Sequence, residues 1–124
     1  MHGRLALDLP ADIRSLRPAR LATLDAASRA GLDCDAANDL CLALDEVCFA
    51  AFAWAGNDNR IQLDIAVNNG VEILGRVMYP VSEFDLSDFA DLLVNLAVDA
   101  HSVESTPQGL HFMLEKHCPA VPTS

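Results

Sequence analysis

Three cysteines of this 124-residue sequence, Cys34, Cys41 and Cys48, are spaced by seven. Seven residues of one helix rise ~10.5 Å, too far for shared metal ligation or for a disulfide. The three therefore read as small apolar side chains of a buried helix. The fourth stands in His117–Cys118 near the end of the chain. His2, His101, His111 and His117 are scattered, and no CxxC or HxxxC occurs, so the spacing supports neither a zinc site nor a catalytic triad. Ser82, Ser87 and Ser102 lack the context of a nucleophile elbow. More informative are the acids. Asp45 and Glu46 interrupt the apolar run from Leu40 to Cys48, on a helix whose other residues point to burial on most sides.

The bulk numbers narrow what such acids can serve. Lys and Arg number 8 against 18 Asp and Glu, a net charge of −10. Nucleic-acid phosphates are repelled, since affinity for them comes from Lys and Arg. An anionic membrane surface is disfavoured for the same reason, and a basic protein partner is attracted. Hydrophobic residues make up 52 %, which argues for a folded chain and against disorder. No apolar run approaches the ~18 residues of a membrane span. Met1 to Pro10 has no apolar stretch or cleavage-like site of the secretory kind. A cytoplasmic location with reduced cysteines is the expectation.

The elements that must position these residues follow from periodicity. Leu5, Leu7 and Leu9 alternate as a first strand ended by Pro10. Residues 12–30 read as a helix closed by Gly31, with Pro18 in its true first turn and Ser15 or Arg17 just outside. Asp35 is the expected N-cap of a second helix running to about Ala55. Ile61, Leu63, Ile65 and Val67 alternate, as do Val71, Ile73, Gly75, Val77 and Tyr79, with Asn69–Gly70 as the hairpin turn between them. Ser87 caps a third helix to about Val98, with Leu92, Leu93, Leu96 and Ala97 as its expected buried side. Strands follow from Val103 and through Leu110, Phe112 and Leu114, joined by the turn at 106–109. The order β-α-α-β-β-α-β-β predicts an α+β fold, a two-layer sandwich with helices on one face of a mostly antiparallel sheet. One domain over residues 1–117 and a loose tail over 118–124 are expected.

This order, together with Leu40-Cys41-Leu42-Ala43-Leu44-Asp45-Glu46-Val47-Cys48, resembles the anti-sigma regulatory factors with a histidine-kinase-like (Bergerat) ATPase fold. The segments Arg20–Thr23 and Ala27–Leu32 are similar to that family's first helix, and the resemblance runs from Leu5 to Glu115. It implies a switch protein that binds a sigma factor, keeps it off RNA polymerase, and releases it to an anti-anti-sigma partner.

The family's ATP motifs then apply position by position. Its second helix carries Glu-x-x-x-Asn, the Glu acting on the attacking hydroxyl and the Asn ligating Mg²⁺. Glu46 matches the acid, but the Asn position is Ala50. A methyl group cannot replace an oxygen ligand of octahedral Mg²⁺, and phosphoryl transfer relies on that metal. An Asp-x-Gly-x-Gly loop belongs after the third strand; residues 77–82 hold neither an acid nor a glycine, and Tyr79 and Pro80 stand there instead. A glycine-rich turn belongs before the third helix; Asp85-Leu86-Ser87-Asp88 has none. Asp85 and Asp88 stabilise a helix N-terminus and repel a phosphate from it. No cofactor and no metal are expected, and Glu46 reads as a capping or surface charge, or as the partner of a neighbouring Arg. The competing expectation is a divergent serine-protein kinase that still uses Glu46.

Partner contacts are assigned by the same resemblance and by charge. Arg20 matches a first-helix arginine that meets the sigma factor, although the acid one turn earlier is Leu16 here. Arg14 and Arg17 complete a basic spot. Glu83, Asp85 and Asp88 form an acidic counterpart that complements the basic, DNA-gripping surface of a sigma factor. The expected function is partner switching without ATP, with a sigma factor or an anti-anti-sigma factor as partner, no nucleic acid, no membrane, and a homodimer as a further option.

Overall fold

The computed structural model describes residues 3–55, 59–78 and 86–119. Its elements are β1 (Gly3–Pro10), a 3₁₀ turn (Ile13–Ser15), α1 (Leu16–Ala30), α2 (Cys34–Ala55), β2 (Arg60–Val67), β3 (Gly70–Met78), α3 (Asp88–Ala97), β4 (Ala100–Thr106) and β5 (Gly109–His117). The order is the one that periodicity predicts. The strands form one antiparallel sheet in the order β1-β2-β3-β5-β4. The helices lie on one face of it, with α2 in contact with both α1 and α3.

Alternation fixes which face is which. Ile61, Leu63 and Ile65 on β2, Ile73, Gly75 and Val77 on β3, and Leu110, Phe112 and Leu114 on β5 are all buried, while the residues alternating with them face outward. Their core partners on α2 are Leu40, Ala43, Leu44, Val47, Cys48 and Ala51. Opposite each other on β3 and β5, Gly75 and Phe112 meet so closely that a methyl group on Gly75 would overlap the ring.

The helix ends show local chemistry at work. Asp12 caps the 3₁₀ turn by accepting from the Arg14 amide, so the first expected helix is in fact this turn followed by α1. Ser15 precedes α1, and Pro18 sits in the first turn, where its missing N–H costs no helical bond. Gly31 ends α1 in the left-handed region at φ 83°, and the amides of Gly31 and Leu32 donate to Ser28 and Ala27. Asp33 rather than Asp35 caps α2: its Oδ1 accepts from the Ala36 amide at 2.8 Å, and Asp35 lies in the first turn. Cys41 and Cys48 are buried as expected, but Cys34, the first residue of α2, is exposed.

Three further differences are of register. The β2–β3 turn is centred one residue earlier than expected, on Asn68–Asn69, and Gly70 already belongs to β3. β4 starts at Ala100 rather than Val103, because its pairing with β5 reaches Glu115. Cys118, assigned above to the tail, donates its amide to Asn69 and lies 2.8 Å from the Ala30 carbonyl.

The largest difference concerns α3. Ala90, Val94 and Ala97 are its buried residues, whereas Leu92 and Leu96 are exposed and Leu93 is half-buried. The helix is apolar on two sides, and the side with small residues faces α2. Close packing of two helices favours the small set, since large side chains at every contact would hold the axes apart.

Candidate functional site

The site to be tested lies where α2 faces α3. Lys116 marks that side: its Nζ donates to the Ala97 carbonyl at the end of α3 (2.8 Å) and lies 3.7 Å from Asp39 of α2. Asp39, Ala43, Glu46 and Ala50 follow one another at helical spacing, so Glu46 and Ala50 stand one turn apart on the stripe that begins at Asp39. Both are half-buried. Among the described residues Glu46 has no hydrogen-bond or ion-pair partner, so the expectation that a neighbouring Arg pairs with it does not hold; its neighbour in sequence, Asp45, takes the arginine instead.

At the other wall, α3 opens on Asp88. Ser87 Oγ accepts from the Ala90 amide at 3.1 Å, and the Ser87 carbonyl accepts from Asp91. One of the orphan amides that a phosphate would use is therefore already taken by a side chain. Asp88 and Asp91 add two carboxylates to the same first turn. The described walls thus offer one carboxylate at Glu46, a methyl group at Ala50, and a negatively charged helix start. Tyr79, Glu83 and Asp85 lie outside the described residues.

The basic group stands elsewhere. Arg14 is exposed on the 3₁₀ turn and pairs with Asp12 at 2.9 Å. Arg17 and Arg20 lie on one face of α1, three residues apart and exposed. Arg20 is engaged: its Nε lies 3.0 and 2.9 Å from the two Asp45 oxygens, which stabilises the charged guanidinium and pushes its pKa further up. The fold therefore does not bring Arg14, Arg17 and Arg20 to Asp88, because α2 stands between α1 and α3. Sequence reading missed Asp45 as the partner of Arg20. The signal was the helical stripe Cys41–Asp45, whose cysteine also faces the Arg20 carbonyl.

Cys41 and Cys48 are poor nucleophiles here, since burial pushes both thiols up. Among the described residues no group of three His, Cys, Asp or Glu is placed to hold a metal ion. Nor is any described helix long and apolar enough to cross a membrane.

No curated protein matches the sequence. A crystal structure of the RsbU and RsbW domains of a Mycobacterium tuberculosis protein matches the fold with a TM-score of 0.72 and 15 % identity, over 98 % of this chain. This chain spans about a third of that one, 35 % of its length. Residues 9–113 match the family described as histidine kinase-like ATPase domains. The family match takes in α1, α2, β2, β3, α3 and β4 together, and the chain therefore belongs to the histidine kinase-like ATPase domain family.

Proposed function

We propose that this chain is a cytoplasmic anti-sigma-type regulator that binds a sigma factor or its anti-anti-sigma antagonist and does so without turning over ATP. The carrying observation is the start of α3, at which a helix would receive phosphate: a serine cap takes one amide there, and the first turn carries Asp88 and Asp91, the latter paired with His101. Ala50, one turn beyond Glu46, supports the same reading, because it offers no oxygen for Mg²⁺. On this reading Arg14, Arg17 and Arg20 form one contact surface, and Asp88 with Glu83 and Asp85 forms another. Residues 1–117 act as a single domain.

Partner exchange then replaces nucleotide turnover as the source of switching. A ligand shifts an equilibrium only by its differential affinity, so release requires a competitor for the same surface. Co-purification with sigma factors tagged one by one tests the proposal. Retention of one of them, undiminished by removal of nucleotide, is the expected result; retention of none overturns the sigma assignment.

A second reading is favoured by one observation: Glu46 is half-buried and has no partner among the described residues, as a base awaiting a substrate would be. A divergent serine kinase predicts transfer of labelled phosphate from ATP to a protein serine, abolished by Glu46→Gln.

A further inference from the structure

The pattern of α3 predicts Leu92 and Leu96 inside, and the structure puts both outside. Phe89 is 70 % exposed, Leu92 53 % and Leu96 73 %. Their spacing, three and four residues, makes them one stripe along the helix. On the neighbouring α2, Leu42 and Phe49 stand seven residues apart and are 42 % and 61 % exposed. α3 therefore turns an apolar stripe to solvent, and α2 adds Leu42 and Phe49, with Asp45 and Glu46 on the turn between them. Single exposed apolar residues need no explanation, but a row of three large ones on α3, with two more exposed on the helix packed against it, marks an interaction surface.

Charge says what covers it. α2 carries Asp35, Asp39, Asp45 and Glu46, α3 carries Asp88 and Asp91, and neither helix holds a lysine or arginine. Asp45 is held by Arg20, Asp39 lies near Lys116 and Asp91 near His101, which leaves Asp35, Glu46 and Asp88 without an ion-pair partner among the described residues. An anionic membrane is repelled by such a surface. A second copy meeting it across a twofold axis would set the same acids against each other. A helix with an apolar stripe flanked by Lys and Arg satisfies both features: its stripe covers the exposed leucines and phenylalanines, and its flanks meet the carboxylates. We infer that the solvent face of α2 and α3 docks a basic amphipathic helix of a partner protein. The inference rests on the protein-binding reading above and assigns it a surface separate from the arginines of α1.

The probe is a designed helical peptide with leucines at heptad spacing and lysine flanks, compared with a twin whose flanks are glutamate. Both are titrated into the full chain and followed by fluorescence anisotropy. The lysine peptide binds, the glutamate twin binds at least about tenfold more weakly, and added salt weakens the lysine peptide. Leu92→Asp with Leu96→Asp reduces its affinity about tenfold or more, a loss of roughly 1.4 kcal/mol. Leu96→Ser, a milder change at an exposed position, gives a smaller loss in the same direction. Equal binding of the two peptides, or affinity unchanged in both variants, overturns the inference, as does wild-type self-association that Leu96→Asp abolishes. The sigma-factor arm is read separately. Peptide binding that depends on Leu92 and Leu96, with no sigma factor retained, leaves this surface standing and removes the sigma assignment. A sigma factor retained equally by wild type and variants, with no peptide bound, does the reverse.

Discussion

Arg20 of α1 holds Asp45 of α2 by a two-oxygen contact, with Nη2 at 2.8 Å from Oδ2 and Nε about equidistant from both oxygens. The pair joins the helix that bears Arg17 and Arg20, two of the proposed contact arginines, to the helix that bears Glu46. It also means that Arg20 does not wait free in solvent: a partner carboxylate at this spot would have to displace Asp45 or share the guanidinium with it.

The energetic side of that pair is modest. Arg20 is about half exposed, with a side-chain accessibility of 47 %, so solvent screens the attraction. A double-mutant cycle of Arg20→Ala and Asp45→Ala in denaturant unfolding should give a coupling of about 0.5–1 kcal/mol. A coupling near zero would mean that the contact organises nothing. Asp45→Ala should leave sigma retention equal or stronger, whereas Arg20→Ala should weaken it; the opposite ranking removes Arg20 from the contact surface.

The orientation of α3 yields a sharper contrast. Val94 is fully buried and Leu96 is 73 % exposed. Val94→Ala removes two buried carbons and should cost about 1.5 kcal/mol, while Leu96→Ala should change stability by less than about 0.5 kcal/mol. Urea melts of the two variants decide it, and equal costs would place the helix in a different phase.

That contrast shows where sequence reading reached its limit. Strict alternation on β2, β3 and β5 fixed both the strands and their buried faces, because only one face of each is continuously apolar. Ser87, Gly31 and Pro18 marked helix ends through side-chain and backbone chemistry that acts within a few residues. α3 was different. Phe89, Leu92, Leu93, Val94, Leu96 and Ala97 are spread over two sides of the helix, with Asp88, Asp91 and Asn95 on the third, so periodicity names two candidate faces, and only contact with α2 selects one. The Arg20–Asp45 pair spans 25 residues of sequence, beyond what local pattern reveals. Within the candidate site, Ala50 and Asp88 were legible as residue types; that Glu46 has no partner among the described residues was not, because it depends on which neighbour Arg20 takes.

On the outer face of the sheet, Glu72 of β3 stands directly opposite Glu115 of β5. Burial first, then a hydrogen bond and the like charge from Glu115, raise the Glu72 pKa above its ordinary value, with Arg4 opposing. His117 lies 3.2 Å from Glu115, and Arg4 and Cys118 stand at the same edge. These side chains line a cleft of about 430 Å³. Because the folded state binds the Glu72 proton more tightly than the unfolded state, its contribution to stability is present at low pH and is lost as pH rises through the folded pKa. Glu72→Gln should therefore melt higher than wild type near neutral pH, and the difference should vanish below the ordinary glutamate range. A difference that grows on acidification would contradict the assignment.

The final prediction concerns how many changes separate this chain from a nucleotide site. Ala50→Asn returns the oxygen ligand one turn from Glu46, the smallest edit toward a Mg²⁺ position. It leaves the Ser87 cap on the Ala90 amide and the carboxylates of Asp88 and Asp91 at the start of α3. Asp91 is turned to His101 of β4, its Oδ1 3.3 Å from Nε2, so Asp88 is the acid left unpaired at the helix start, and two like charges near 4 Å cost about 4 kcal/mol at an effective dielectric of ~20. One new ligand atom does not offset that repulsion. The variant should thus melt at the same temperature with and without Mg-ATP. Saturating binding would instead add about 2.7 kcal/mol at a hundredfold excess over the dissociation constant. A shift of that size in Ala50→Asn alone would show that the α3 acids do not guard the site. If the shift appears only when Asp88→Gly and Asp91→Asn are added, the charge at the helix start is the decisive obstacle.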